Sequence, residues 1–210
     1  EITTRLVGSE MCIRDSHHLA VAAMLSAVAA VLQFVEFSIP LIPSFVKLDI
    51  SDLPALLGTF SLGPVYGVVI QLVKNLLHLP FGSSAGVGEL SNFILGAVFV
   101  LCAGLVYRKH KSRKGALIGA MLGAVLMAVV SVPSNYFFVY PAYVTLFGMP
   151  LDQIIGAYQA ILEPIAQTPT DNALLNCLLV FNVPFTFCKG LLDVGLCFLI
   201  YKPLSPLLHK

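Results

Sequence analysis

Residues 53–78 read LPALLGTFSLGPVYGVVIQLVKNLLH, and the Gly63-Pro64 pair inside this stretch decides how many helices the chain forms. The stretch is either one kinked helix or two helices separated by a turn. Glycine followed by proline is a strong break signal. We therefore predict two helices, of which the first is too short to cross a bilayer alone and must pack against its neighbours.

Long apolar runs flank this stretch on both sides. They cover residues 19–35, 87–107, 115–140 and 172–201, each close to the roughly 20 residues that a membrane span needs. The whole chain is 58% hydrophobic and 11% charged, with a mean hydropathy of +0.90. A soluble domain usually carries about 25% charged residues. The sequence therefore predicts an all-α membrane protein, with residues 19–210 forming a single domain of six transmembrane helices.

The basic residues predict the orientation of these helices. Residues 108–114, RKHKSRK, hold five of the twelve Lys and Arg residues, and basic loops stay in the cytoplasm. With six helices, both termini are then cytoplasmic. Residues 36–52 form a structured outer loop that could cover a ligand. The net charge of +1 gives no reason to expect a nucleic-acid partner.

The first 18 residues, EITTRLVGSEMCIRDSHH, differ from the rest of the chain. They are polar and have no apolar core, so they do not match a signal peptide. We interpret residues 1–18 as a non-native or disordered leader and leave them out of the functional argument.

The polar residues inside the apolar runs are the strongest functional signal. Charged groups within a membrane span are costly and usually mark a functional site. The predicted topology brings five such residues to the outer half of the last three helices: Glu89, Asn92, Asn135, Asn182 and Lys189. The outer loop, with Lys47 and Asp49, lies over the same position. The sequence therefore predicts an outward-facing cavity.

Each polar group also has a purely structural interpretation. Lys189 and Asp193 are four residues apart and share a helix face, so they could form a salt bridge; alternatively, Lys189 faces a ligand. Glu89 and Asn92 could cap a helix or join two helices. For the group Lys74, Asn75 and His78 we expect snorkelling toward the headgroups.

Small residues recur on the first and fifth helices. Ala23, Ala27 and Ala30 belong to a small-residue stripe of a kind that allows close helix contact in lipid. This stripe either packs internally or docks another membrane protein. For Gly115, Gly119 and Gly123 we expect internal packing.

Motifs for catalysis are absent from the sequence. It contains no GxxxxGK[ST] loop, no HExxH or GxSxG motif, and no paired Cys/His spacing typical of a metal site. An enzyme is therefore unsupported, and neither a metal nor a cofactor is expected.

Four segments resemble one known family. They are FVKLDISDLPALLGTFSLGPVYGVVIQLVKNLLHL (45–79), GVGELSNFILGAVFV (86–100), NYFFVYPAY (135–143) and FNVPFTFCKGLLDV (181–194). Together they resemble the riboflavin-specific S component of energy-coupling-factor (ECF) vitamin transporters. The resemblance covers roughly residues 19–205, and the last three segments are its most specific part.

The resemblance implies a function and partners. Such an S component binds one vitamin in its outer half, beneath the loop after the first helix. It docks through small residues of that helix on a membrane T component that carries two cytoplasmic ATPases, and it works in a prokaryotic cell membrane. By position, the expected riboflavin-binding residues are the five polar residues above and the loop residues Phe45, Val46, Lys47, Leu48 and Asp49. The expected docking residues are Ala23, Ala27 and Ala30.

Three alternatives remain open at this point. The chain could be an S component for another vitamin, such as thiamine or pantothenate. It could be an intramembrane enzyme with Glu89 or Asp193 as a base. It could also be a structural membrane protein whose polar residues only join helices.

Overall fold

The computed structural model describes residues 2–38, 47–82, 86–148, 150, 152–153, 155–156, 158 and 173–208. Within these ranges the protein is a helical bundle with one short antiparallel hairpin. The helices are α1 (Ile2–Phe34), α2 (Asp52–Ser61), α3 (Pro64–His78), α4 (Val87–Lys109), α5 (Arg113–Ser134), α6 (Tyr140–Phe147), α7 (Ala173–Cys177) and α8 (Val183–Leu208). The strands are β1 (Phe37–Ser38) and β2 (Lys47–Leu48).

The break predicted at Gly63-Pro64 is present. Gly63 has φ +113°, in a region that residues with a β-carbon rarely adopt, and Pro64 begins α3. Proline suits this first position because its missing N–H has no partner there in any helix. Helix α2, with ten residues, is about 15 Å long, which is half the thickness of a hydrocarbon core of about 30 Å.

Two π-helical turns join the shorter helices into long ones. The turn Asn135–Val139 connects α5 to α6, and the turn Leu178–Asn182 connects α7 to α8. The residue that follows each turn donates its N–H to the carbonyl five positions earlier, and a proline comes next, Pro141 in one case and Pro184 in the other. Proline lacks an N–H and clashes with the carbonyl four residues before it, so a regular α-helical ladder is interrupted there.

Apart from a few helical residues between 152 and 158, the described residues form six helical segments, the number that the sequence predicts. Four stretches are long and apolar enough to cross a membrane: Ser16–Phe34, Val87–Lys109, Arg113–Leu146 and Leu174–Ile200. Large apolar side chains on these helices are exposed at the surface of the bundle, among them Leu117, Ile118 and Val125 of α5. Exposed apolar surface of this kind suits a lipid surrounding and would be unfavourable in water.

Close contact between α4 and α5 builds the centre of the bundle. A β-carbon at Gly119 would lie 2.7 Å from the carbonyl oxygen of Ala103, and one at Gly123 would lie 2.6 Å from that of Phe99. Only glycine allows the two backbones to approach so closely. The expectation of internal packing holds for these two glycines, whereas Gly115 lies against the turn at His110.

Helix α1 has two different small-residue faces. Ala22, Ser26 and Ala30 are buried against the bundle, whereas Ala23 and Ala27 are exposed. Ala30 is only 6% exposed, so it does not share the exposed face on which it was expected. The helix begins at Ile2 and therefore also includes most of the leader segment that the sequence sets apart.

Candidate ligand-binding site

A cavity of about 520 Å³ opens between the ends of several helices beneath the β1–β2 hairpin. The hairpin is antiparallel, with Phe37 opposite Leu48 and Ser38 opposite Lys47. The residues that follow β2 lead into α2, which begins at Asp52. Cavities of about 300–1,000 Å³ with a few oriented polar groups are typical of small-molecule sites.

Most of the predicted site residues line this one cavity. Those that do so are Lys47, Asp49, Glu89, Asn92, Asn135, Asn182 and Lys189. Leu48 is half-buried in β2 and is not part of the described lining. Phe45 and Val46 lie outside the described residues. The convergence predicted from the sequence is therefore present for seven of the eight expected residues that the structure describes.

Lys189 of α8 lies at the centre of the polar network. Its ammonium group donates hydrogen bonds to Asp49 Oδ2 at 2.9 Å and to Asn92 Oδ1 at 3.2 Å. It also lies 3.3 Å from Asp52 Oδ2 as an ion pair. The partners come from the loop after α1, from α4 and from the first residue of α2, so this one side chain connects three separate parts of the fold.

Lys189 does not pair with Asp193, which the four-residue spacing allows. Within the described part of the chain, no ion pair joins them, and neither carboxylate oxygen of Asp193 has a hydrogen-bond partner. The side chain of Asp193 is nevertheless completely buried. Lys189 pairs with Asp49 and Asp52 instead, because the packing of other segments brings both carboxylates close to its ammonium group.

A second buried lysine supports the same network from α3. Lys74 Nζ donates to Ser51 Oγ at 2.7 Å and forms an ion pair with Asp52. Gln71 Nε2, one turn earlier on α3, donates to Asp52 Oδ1 at 2.8 Å. Ser51 in turn donates its hydroxyl and its backbone N–H to Asp49. This arrangement fixes the loop end that contacts Lys189.

The expected snorkelling of the α3 residues is wrong. Lys74 is 0% exposed, and Asn75 and His78 are also buried. The sequence alone favours snorkelling because the acidic partner of Lys74 lies on another helix. The spacing of Gln71, Lys74, Asn75 and His78 at three and four residues was the available signal, since it places these polar groups on one face of α3.

A chain of polar contacts links four residues that line the cavity: Glu36, Lys47, His78 and Glu89. Lys47 pairs with Glu36 at 2.6 Å, and the other Glu36 oxygen lies 3.4 Å from His78 Nε2. His78 Nδ1 lies 3.0 Å from Glu89 Oε1. Residues from the end of α1, β2, α3 and α4 thus meet at the cavity, and Glu89 contacts another helix as the structural interpretation anticipates.

Charge neighbours control the protonation of Asp49. Burial raises its pKa, but the positive charges of Lys189 and Lys74 oppose this effect and hold the pKa below the ordinary value of 3.8. Asp49 is therefore a carboxylate near neutral pH. Its negative charge is what allows Lys189 to remain buried at the base of the loop.

Two of the three predicted asparagines lie at the π-helical turns. Asn135 begins one turn and Asn182 ends the other, and both side chains line the cavity. Asn182 is 7% exposed, and its Nδ2 donor has no partner among the described residues. Irregular turns of this kind are frequent at functional sites. An unused, buried donor at a cavity wall is available for a ligand.

The fold and the site are those of a membrane protein with an internal polar cavity that suits a small molecule. The family described as "ECF transporter, substrate-specific component" matches residues 17–201. The chain therefore belongs to this family of transporter components, whose members bind substrates and are not enzymes.

Curated relatives and a solved structure agree with this assignment. The riboflavin transporter RibU of Staphylococcus aureus (strain TCH60) is 34% identical over 94% of this chain and 95% of its own length. The riboflavin transporter FmnP of Bacillus subtilis (strain 168) is 30% identical over 91% of this chain and 94% of its own length. The S component of a bacterial ECF transporter superposes with a TM-score of 0.71 at 32% identity, covering 93% of this chain and 99% of that one.

Proposed function

We propose that the protein is the riboflavin-binding subunit of an ECF-type uptake transporter in a bacterial cell membrane. The observation that carries the proposal is the convergence of Asn92, Asn135, Asn182 and Lys189 on one cavity beneath the outer loop. The identity to relatives named riboflavin transporters, over nearly the full chain, supports the choice of ligand.

The walls of the cavity suit a flat ring with polar edges. Apolar and aromatic side chains from α4, α5, α6 and α8 provide surfaces for the ring faces, namely Leu95, Met127, Tyr140 and Phe185. The isoalloxazine ring is apolar on its faces and carries carbonyls and nitrogens at one edge, so it needs both an apolar slot and oriented donors.

Three donors are the candidates for the carbonyl edge. The Nδ2 group of Asn182 is unused within the described residues. Lys189 has three hydrogens and donates hydrogen bonds to two described partners, which leaves one for a ligand oxygen. Asn135 lies at the same wall. Four or five hydrogen bonds of about 1 kcal/mol each, together with ring burial, are compatible with nanomolar affinity, about −12 kcal/mol.

The charge of the lining favours free riboflavin over its phosphate. The carboxylates of Glu36, Asp49, Asp52 and Glu89 outnumber the ammonium groups of Lys47 and Lys189 at the cavity. A phosphate group would add further negative charge to a region that is already acidic. We therefore propose that FMN binds more weakly than riboflavin.

The proposed topology has six membrane segments with both termini in the cytoplasm. The basic loop between α4 and α5 then lies inside, in agreement with the positive-inside rule. The cavity, at the opposite ends of these two helices, opens outward. The helices α2 and α3 form a pair in which neither member reaches fully across the membrane alone.

The proposed partners are a membrane T component and two cytoplasmic ATPases, as the family implies. The exposed face of α1 that contains Ala23 and Ala27 is the proposed docking surface, because exposed small residues allow a second helix to approach closely. Ala30 is excluded from this surface by its burial.

The experiment that tests the ligand is a titration of the purified protein with riboflavin, monitored by the quenching of flavin fluorescence. A parallel titration with FMN by the same readout, and titrations with thiamine and pantothenate by calorimetry, provide the comparison. The proposal requires saturable riboflavin binding, weaker FMN binding and an unchanged ligand after release. Saturable binding of only thiamine or pantothenate would assign another vitamin. Chemical turnover of the bound ligand would indicate an enzyme, and the absence of any saturable ligand would indicate a structural protein.

A further inference from the structure

Asp193 is a buried acid that the network around Lys189 does not use. Its side chain is 0% exposed, and neither Oδ1 nor Oδ2 has a hydrogen-bond partner among the described residues. A carboxylate in this state would be among the costliest groups to place in an apolar interior. Its environment therefore has to supply either a positive charge or a proton.

The charges of four neighbouring residues act on Asp193. The groups whose charges act on it are Asp49 in the outer loop, Asp52 of α2, Lys74 of α3 and Lys189 on its own helix. From α5, the side chains that face this part of α8 are apolar, since Ala124 and Met127 lie against Gly190. The buried thiol of Cys197 lies one turn beyond Asp193.

The two lysines of this cluster are already occupied by the other two aspartates. Lys74 pairs with Asp52, and Lys189 pairs with Asp49 and Asp52. Three carboxylates share two ammonium groups, so the cluster carries one negative charge in excess if all five groups are ionised. Asp193 is the carboxyl group that receives no direct ion pair.

The buried atoms of these five residues and of Gln71 that lack a hydrogen bond are all oxygens, which accept hydrogen bonds. They are Asp193 Oδ1 and Oδ2, Gln71 Oε1 and Asp52 Oδ2. None of them accepts a hydrogen bond within the described part of the chain, although Asp52 Oδ2 lies 3.3 Å from the Lys189 ammonium group as an ion pair. Gln71 belongs to the same group because its amide nitrogen donates to Asp52. Asp193 therefore has two buried oxygens that no described donor reaches, and a proton on one of them would remove its negative charge.

We propose that Asp193 is a proton-binding site, and that its proton makes the five-residue cluster electrically neutral. A protonated carboxyl group carries no net charge, so the added proton removes the unpaired negative charge of Asp193. Neutrality lets Lys74 and Lys189 remain buried, with Lys189 in the wall of the cavity. The inference does not depend on which ligand occupies that cavity.

Infrared spectroscopy tests this site directly. In protein labelled with ¹³C-carboxyl aspartate at about pH 7, ordinary aspartates are ionised, so a label-shifted band of a protonated carboxyl group reports a buried acid. We expect this band in the wild-type protein, its loss in Asp193→Asn, and its retention in Asp152→Asn, which removes an exposed carboxylate. A wild-type spectrum without the band, or a band that persists in Asp193→Asn, overturns the proposal.

Thermal unfolding gives a second readout. Asparagine resembles a neutral acid, so Asp193→Asn should lower the melting temperature by less than about 3 °C, whereas Asp52→Asn removes a charge paired with two lysines and should lower it by on the order of 10 °C. Equal losses in the two variants would show that Asp193 acts as a charged partner and would overturn the proposal. If Asp193→Asn does not fold, the presence or absence of the protonated-carboxyl band in the labelled wild-type protein decides the test.

A monovalent cation is the competing way to neutralise the cluster. The protonated-carboxyl band should be the same in sodium buffer and in choline buffer. A band that appears only after sodium is replaced by choline would mean that the cation occupies the site, and this result would also overturn the proposal.

Discussion

Lys189 and Asp49 are 140 residues apart in the chain, and their charged groups meet at 2.9 Å. This ion pair joins the last long helix to the loop that follows the first helix. Because Lys189 also contacts Asn92 of α4, the same ammonium group connects the wall of the cavity to the loop that contains Asp49. A ligand that bonds to Lys189 would therefore contact the same ammonium group that holds Asp49 of the loop.

Replacement of Lys189 by alanine should weaken riboflavin binding at least tenfold while the protein stays folded. A hydrogen bond to a charged group contributes about 1.5–3 kcal/mol, and 1.4 kcal/mol corresponds to a factor of ten. Fluorescence titration measures the affinity. Lys111→Ala, which removes an exposed lysine of the basic loop, is the matched control and should leave the affinity unchanged. Unchanged binding in Lys189→Ala would remove this residue from the site.

Asn182→Ala should reduce riboflavin affinity with little effect on stability. The Nδ2 donor of Asn182 has no partner among the described residues, so its removal breaks no described donor contact in the ligand-free protein. The lost ligand bond should raise the Kd by roughly fivefold to tenfold, equivalent to about 1 kcal/mol. Melting temperatures with and without riboflavin separate the two effects. A large loss of stability without ligand would indicate that Asn182 is structural.

Acidification should release the loop through Asp49. The folded protein lowers the pKa of Asp49 below 3.8, so its contribution to stability is complete above about pH 3.8 and is lost as the pH falls through the lower folded value. Melting temperatures of the wild type and of Asp49→Asn should therefore differ most above pH 3.8 and converge at lower pH. Asp152→Asn, at an exposed position, is the control. A difference that stays constant with pH would contradict this role.

Replacement of Ala27 by tryptophan should impair assembly with the T component and transport but spare riboflavin binding. Ala27 is exposed on α1, where a large ring would hold a neighbouring helix away. Co-purification with the partner proteins and vitamin uptake by cells are the measurements. Val125→Trp changes an exposed position on α5 and should affect neither. Normal transport with Ala27→Trp would show that this face of α1 is not the docking surface.

Replacement of Gly123 by alanine should destabilise the bundle. The new β-carbon would lie 2.6 Å from the Phe99 carbonyl oxygen, and overpacking of this kind typically costs about 1–3 kcal/mol. The melting temperature should fall by about 2–4 °C for each kcal/mol. Gly195→Ala is the matched control, because a β-carbon there meets nothing within 4 Å and alanine favours the helix. Equal stability of the two variants would contradict tight packing of α4 against α5.

The site could be predicted only in part. The buried polar residues of the last three long helices were recognisable because asparagine, glutamate and lysine are rare within apolar runs. Asp52, Lys74 and Gln71 were missed as members of the same network, since their partners lie on different elements. The spacing of Lys189 and Asp193 suggested a pair, but a helix face says only which groups could meet.

Apolar length and local backbone preferences depend on neighbouring residues alone, so the membrane class, the helical segments and the break at Gly63-Pro64 follow from the order of the amino acids. The tertiary structure decided which charges pair. Lys189 turned to Asp49 and Asp52 and left Asp193 without a described partner, because ion pairs form between groups that the packing of distant segments brings within a few ångströms.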